Sequence, residues 1–95
     1  MIDENNFVSE IEKEIKNWNA EVLKFRIIAE VTKPDDQIEH YQVIEDIVAK
    51  EQAVIEKLAV FDESGIVDQT ILKNEIENLQ QDVEDAIEAA RVKIN

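Results

Sequence analysis

Between Val8 and Thr32 the apolar and methyl-bearing side chains fall at Val8, Ile11, Ile15, Trp18, Val22, Phe25, Ala29 and Thr32, in strictly alternating steps of three and four. Such spacing places one side chain per turn on a single stripe of an α-helix, and over about four heptads it describes the a/d seam of a coiled coil. The start of this helix is open by several residues, since Asp3, Asn5, Asn6 and Ser9 all have side chains suited to an N-cap.

The seam stops at Thr32-Lys33-Pro34-Asp35-Asp36. Pro34 disfavours helix at Lys33 and suits the first turn of a new helix, where acidic residues also complement the helix dipole. A second helix is expected with Ile44, Ile47, Val54, Leu58 and Phe61 inward and Ile38, Tyr41, Val48 and Ile55 beside them. Glu51 interrupts that seam and is read as a boundary carboxylate reaching solvent, because burying it unpaired would be costly. Asp62-Glu63-Ser64-Gly65 supplies the next break, with Gly65 suited to a left-handed cap and either Ser64 or Asp68 suited to cap the next helix. The third helix carries Leu72, Ile76, Leu79, Val83, Ala86 and Ala90 at four-three spacing, flanked by Ile87 and Ile94, with Arg91 and Lys93 at the favourable C-terminal end.

Helices over about 6–32, 35–61 and 66–94 joined by short loops favour antiparallel neighbours. The predicted fold is all-α, one domain over 1–95, an up-down-up three-helix bundle with coiled-coil-like packing and crossings near 20°. One Gly and one Pro in the chain leave too few turn residues for an all-β alternative. The segments share heptads but no residue-level motif, which argues against a repeat array.

Charge narrows the partners. The chain holds 10 basic and 23 acidic residues, a net charge of −13, and the excess is even: residues 1–50 carry 6 and 12, residues 51–95 carry 4 and 11. Nucleic acid binding relies on Lys and Arg displacing counterions, so no nucleic acid partner is expected, and anionic membrane is disfavoured for the same reason. Apolar runs such as Leu58-Ala59-Val60-Phe61 are far shorter than the roughly 20 residues that cross a bilayer. Asp3 and Glu4 stand where a secretory signal carries positive charge, which makes a cytoplasmic location the expectation. The lack of Cys excludes disulfides, thiol catalysis and thiolate metal ligation within this sequence.

Little in the chain suggests an enzyme. His40, the single histidine, lacks the Cys or second His of the common zinc arrangements and is expected to be exposed near the start of the second helix. Glu-x-x-His pairs for a di-iron bundle, a Gly-rich phosphate loop and a calcium-loop pattern are all missing. Ser9, Thr32, Ser64 and Thr70 fall at predicted helix ends, where capping is the ordinary reason for a hydroxyl. Trp18 and Phe25 occupy seam positions and are assigned to the core. No catalytic, cofactor-binding or metal-ligating residues are therefore assigned, and no cofactor is expected.

Two surfaces remain. In the second half of the first helix, Leu23, Ile27, Ile28 and Val31 add apolar surface on faces the seam does not use, with Leu23 at heptad position b and Ile27 at f. Leu23, Ile27 and Val31 form a candidate self-association surface, expected to support a homodimer and to be extended by Val92 and Ile94. Between Asn74 and Ala90 six acids and no basic residue occur. Glu77, Glu84 and Glu88 form a candidate acidic face, either a landing strip for a basic protein or a solubilising surface.

Trp18-Asn19-Ala20-Glu21-Val22, together with Tyr41-Gln42-x-Ile44-Glu45, Lys57-Leu58, Ser64-Gly65 and Leu72-Lys73, resembles the small bacterial coiled-coil proteins of a stress-response family. The resemblance runs from about Phe7 to Ile94, with Trp-Asn-Ala-Glu its most distinctive part. It implies a cytoplasmic helical protein linked to stress, with no established catalytic activity and no catalytic residues to carry over. Members are rich in Ala, Lys and Glu and carry a tryptophan in the third helix; this chain has Ile71 and Leu72 in that region and isoleucine at many alanine positions. The expected function is thus a non-enzymatic, self-associating or protein-binding helical protein, with an acidic adaptor or inhibitor of a basic protein as the alternative.

Overall fold

A computed structural model describes residues 4–63 and 69–94 as three helices, α1 (Glu4–Glu30), α2 (Pro34–Glu63) and α3 (Gln69–Ile94). They form the expected all-α bundle, with every pair of helices in contact and α2 against α3 the most extensive pairing. Phe7 near the start of α1 meets Phe61 near the end of α2, with ring centroids 5.0 Å apart and planes at 59°. The Lys73 ammonium of α3 lies over the Phe7 ring at 5.3 Å. At the other end Arg91 of α3 reaches Glu21 of α1, and Lys93 reaches Glu39 of α2. The helices therefore run up, down and up in a rod of 51 × 18 × 17 Å.

The α1–α2 turn shows how so short a connection is tolerated. Helix termini leave carbonyls without intrahelical partners, often relieved by a left-handed glycine, yet α1 has none there. Gln37 of α2 substitutes by reaching back, its Nε2 donating to the carbonyls of Ala29 at 2.8 Å and Glu30 at 3.3 Å. The Thr32 hydroxyl donates to the Ile28 carbonyl at 2.7 Å, and the backbone tightens through Val31 N to Ile28 O and Thr32 N to Ala29 O. Pro34 opens α2 at the position where its missing N–H costs nothing, with Asp35 and Asp36 in the same turn.

The core is a continuous column in which Ile44, Ile47, Val54, Ile76 and Val83 are the largest fully buried side chains. Ala29 and Ala90 let the helices approach closely near the turn, and Trp18 and Phe25 are buried as assigned. Each fully buried aliphatic side chain contributes about 1.5–3 kcal/mol, so the column dominates the stability of so narrow a bundle.

Several expectations are corrected. The α1 boundaries move from 6–32 to Glu4–Glu30, so Asn5, Asn6 and Ser9 lie within the helix rather than capping it, and Thr32 ends the turn rather than extending the seam. Helix α2 runs from Pro34 to Glu63 instead of 35–61. Phe7, absent from the predicted seam, is buried against Phe61, whereas Val8 is only half-buried. Ile38 is 68% exposed rather than packed beside the seam. Ile94 is buried, so it does not extend the exposed apolar surface. The proposed caps at Asp3, Ser64, Gly65 and Asp68, and the start of the third helix at 66, lie outside the described residues.

Candidate interaction surfaces

Leu23 and Ile27, four residues apart, share one outward stripe of α1, and Val31 follows in the turn just past the helix end; the three are 60%, 56% and 84% exposed. The core stripe of the same helix, through Trp18, Val22, Phe25 and Ala29, points the other way. Toward the N-terminus the outward stripe continues through exposed Ala20, Lys16 and Lys13, with Lys24 beside it. Neither Lys13 nor Lys16 has an ion-pair partner among the described residues, and Lys24 has only Glu21 on its own helix, at 3.8 Å. In a chain of net charge −13 this face thus gathers three lysines at one end and aliphatic side chains at the other, with exposed Glu12 and Glu30 along its edge. Ile38 and Val92 are also exposed toward the apolar end of the bundle.

Glu77, Glu84 and Glu88 likewise share one exposed stripe, on α3, with Asp85 alongside. The two candidate surfaces occupy different sides of the rod. They are joined at one edge by Arg91, which pairs with Glu88 one turn away and with Glu21 of α1 at 3.4 Å. Glu21 and then Glu88 hold the Arg91 guanidinium above its ordinary pKa. A depression of about 260 Å³ dents the acidic face, lined by Gln81, Glu84, Asp85, Ile87, Glu88 and Arg91. On α2, Lys50 bonds to Asp46 at 2.9 Å, which raises its pKa, with smaller contributions from Asp82 and Asp85 across the α2–α3 seam.

Glu51 overturns its predicted place. It is 6% exposed, on the inward stripe of α2 between Ile47 and Val54, and does not reach solvent as a boundary residue would. Its partner is Asn19 of α1, whose amide nitrogen, turned toward the carboxylate, donates to both oxygens at 2.5 and 3.2 Å. Desolvation raises the Glu51 carboxyl above its ordinary value, while the Asn19 amide satisfies it. The pair forms part of an α1–α2 groove with Val22, Arg26, Val48, Gln52 and Ile55. Arg26 is occupied by Glu45 at 3.8 Å. At about 310 Å³ and open to solvent, the groove stands at the lower limit of ligand pockets and presents no paired acid and base.

Glu51 was visible in the sequence as a polar break in the seam, but Asn19 was not, because only the α1–α2 register brings the two together. His40 is half-buried rather than exposed, and its Nδ1 is sealed without a hydrogen-bond partner among the described residues. Among those residues no group of three or more His, Cys, Asp or Glu side chains is arranged to hold a metal ion, and no helix is long and apolar enough to cross a membrane. Compared with models of known families, with curated proteins and with solved structures, the chain finds no match.

Proposed function

We propose that this chain is a non-enzymatic helical protein that works by self-association, through the outward stripe of α1 at Leu23, Ile27 and Val31. The observation that carries this reading is the exposure of Leu23 and Ile27 at consecutive turns of α1 and of Val31 just past its end, at 60%, 56% and 84%. The turn at Thr32–Pro34 is used in capping α1 and starting α2, so that turn does not fold over the stripe. Covering three such residues recovers about 1.5–3 kcal/mol apiece, enough in a repeated contact to offset part of the cost of association. A cytoplasmic, stress-related setting, as the Trp18–Val22 resemblance implies, belongs to the same proposal.

The test replaces Leu23 and Ile27 together with Glu. Since both point away from the core, the variant is expected to stay as helical as the parent by circular dichroism and to lose its concentration-dependent mass by light scattering. Unfolding of the variant would assign both residues to the bundle's own core and end the reading.

The alternative, an adaptor whose acidic face binds a basic protein, is supported by Glu77, Glu84 and Asp85, none of which has an ion-pair partner among the described residues. Such binding would collapse near about 0.5 M salt, where exposed charge contacts are largely screened, whereas association through apolar side chains would persist.

A further inference from the structure

We propose that the partner of the α1 stripe is the acidic stripe of α3 on a second copy, docked parallel, rather than a second α1 stripe. The proposal rests on the self-association reading and assigns the surface that answers it.

The two stripes are complementary in charge. Along α1 the outward face passes from Lys13 and Lys16 through Ala20 and Lys24 to Ile27 and Val31. Along α3 it passes from Glu77 through Glu84 and Glu88 to Ala89 and Val92, the last 83% exposed. Lys13 and Lys24 are eleven residues apart, as are Glu77 and Glu88, so a parallel pairing sets both lysines against both glutamates about 16 Å apart. The same register brings Leu23 level with Ile87 and Ile27 level with Arg91. Ile87 and Arg91 both line the depression on the acidic face, which gives Leu23 and Ile27 a hole to enter.

A two-fold α1 pair lacks these matches. Centred on Leu23 and Ile27, it would bring Lys24 close to its own copy and leave Lys13 and Lys16 facing no acidic row. The α1-to-α3 contact uses different surfaces on the two copies, so each protomer retains one free surface of each kind and the assembly grows into a chain or closes into a ring.

The discriminating experiment mixes two variants. K13E/K16E/K24E reverses the α1 face, and E77K/E84K reverses the α3 face while leaving Glu88 with Arg91. All five residues are exposed, and circular dichroism confirms that each variant remains helical. Light scattering is read at about 100 μM, a concentration that reveals micromolar contacts. Each variant alone is expected at the monomer mass of 11.0 kDa, and the equimolar mixture at twice that mass or more, because the intact α1 face of one variant meets the intact α3 face of the other and the two reversed faces are complementary as well. E77K/E84K also lowers the net negative charge, so its failure to associate would not reflect greater overall repulsion. The single changes K24E and E84K serve as the same test should a multiple variant unfold. Association of E77K/E84K to the parent's mass would establish α1-to-α1 pairing and overturn the proposal, as would a mixture that stays monomeric. A parent protein that is itself monomeric would remove the underlying self-association reading as well.

Discussion

Asn19 of α1 donates its side-chain amide to both carboxylate oxygens of Glu51 of α2, at 2.5 and 3.2 Å, in the seam between the two helices. A carboxamide can serve either protonation state: its N–H bonds the carboxylate, and after rotation its oxygen accepts from the protonated acid. Burial lifts the Glu51 carboxyl above its ordinary 4.5, so the folded chain holds that proton more tightly than the unfolded one. The penalty is absent below the unfolded value, grows as pH rises toward the folded value and is constant above it. Glu51→Gln should therefore melt higher than the parent at pH 7, and the difference should shrink away as pH falls below the unfolded carboxyl's ordinary 4.5. A variant that melts lower at pH 7 would mean that the ionised carboxylate stabilises the bundle.

Helix α1 should open first. It packs less extensively on α2 than α3 does and least on α3, and its seam contains the Asn19–Glu51 pair. Hydrogen exchange should show amides of α1 losing protection before those around Ile47, Val54, Ile76 and Val83. Uniform protection across the three helices would instead indicate a single cooperative unit.

The heptads made most of this architecture legible. Alternating three-four steps located Trp18, Val22, Phe25, Ala29, Ile44, Ile47, Val54, Ile76 and Val83, all of which are buried. Periodicity reports direction around one helix and says little about its neighbour's register, so it missed the Phe7–Phe61 contact and the Asn19–Glu51 pair. Ile38 was misplaced because periodicity sets a residue beside the seam without saying whether the neighbouring helix covers that side, and here Ile38 is left exposed. The outward positions of Leu23 and Ile27 followed from their b and f places in the heptad, and the structure leaves them exposed. Heptad spacing does not single out the lysines beside them; the shared stripe does, by setting Lys13, Lys16 and Lys24 against the charge of the rest of the chain.

Salt should stabilise the fold. A charge of −13 on a rod 18 Å across is a self-repulsion that counterions relieve, while the exposed ion pairs such as Lys93–Glu39 contribute little in water. The melting temperature followed by circular dichroism should rise between low salt and about 0.5 M sodium chloride. A fall would show that the surface pairs outweigh the repulsion.

Core and surface aliphatics should respond very differently to truncation. Ile76→Ala removes a fully buried side chain and should cost about 2–5 kcal/mol, whereas Leu23→Ala should change the stability of the monomer by less than about 0.5 kcal/mol. Denaturant unfolding at low protein concentration measures both, and equal costs would contradict the outward placement of Leu23.

Nucleic acid should not bind. The lysines of α1 form a short row on an otherwise acidic rod, too few to offset the repulsion of a phosphate backbone. Fluorescence anisotropy with a labelled oligonucleotide at physiological salt should show no saturable change, and micromolar binding would refute the expectation.

Self-association is tested most directly by the molar mass of the unmodified protein across a concentration series. Light scattering should give a mass that climbs above the 11.0 kDa of one chain as the concentration rises toward about 100 μM. A mass fixed at 11.0 kDa over that whole range would contradict the assignment of Leu23, Ile27 and Val31 as a surface between copies.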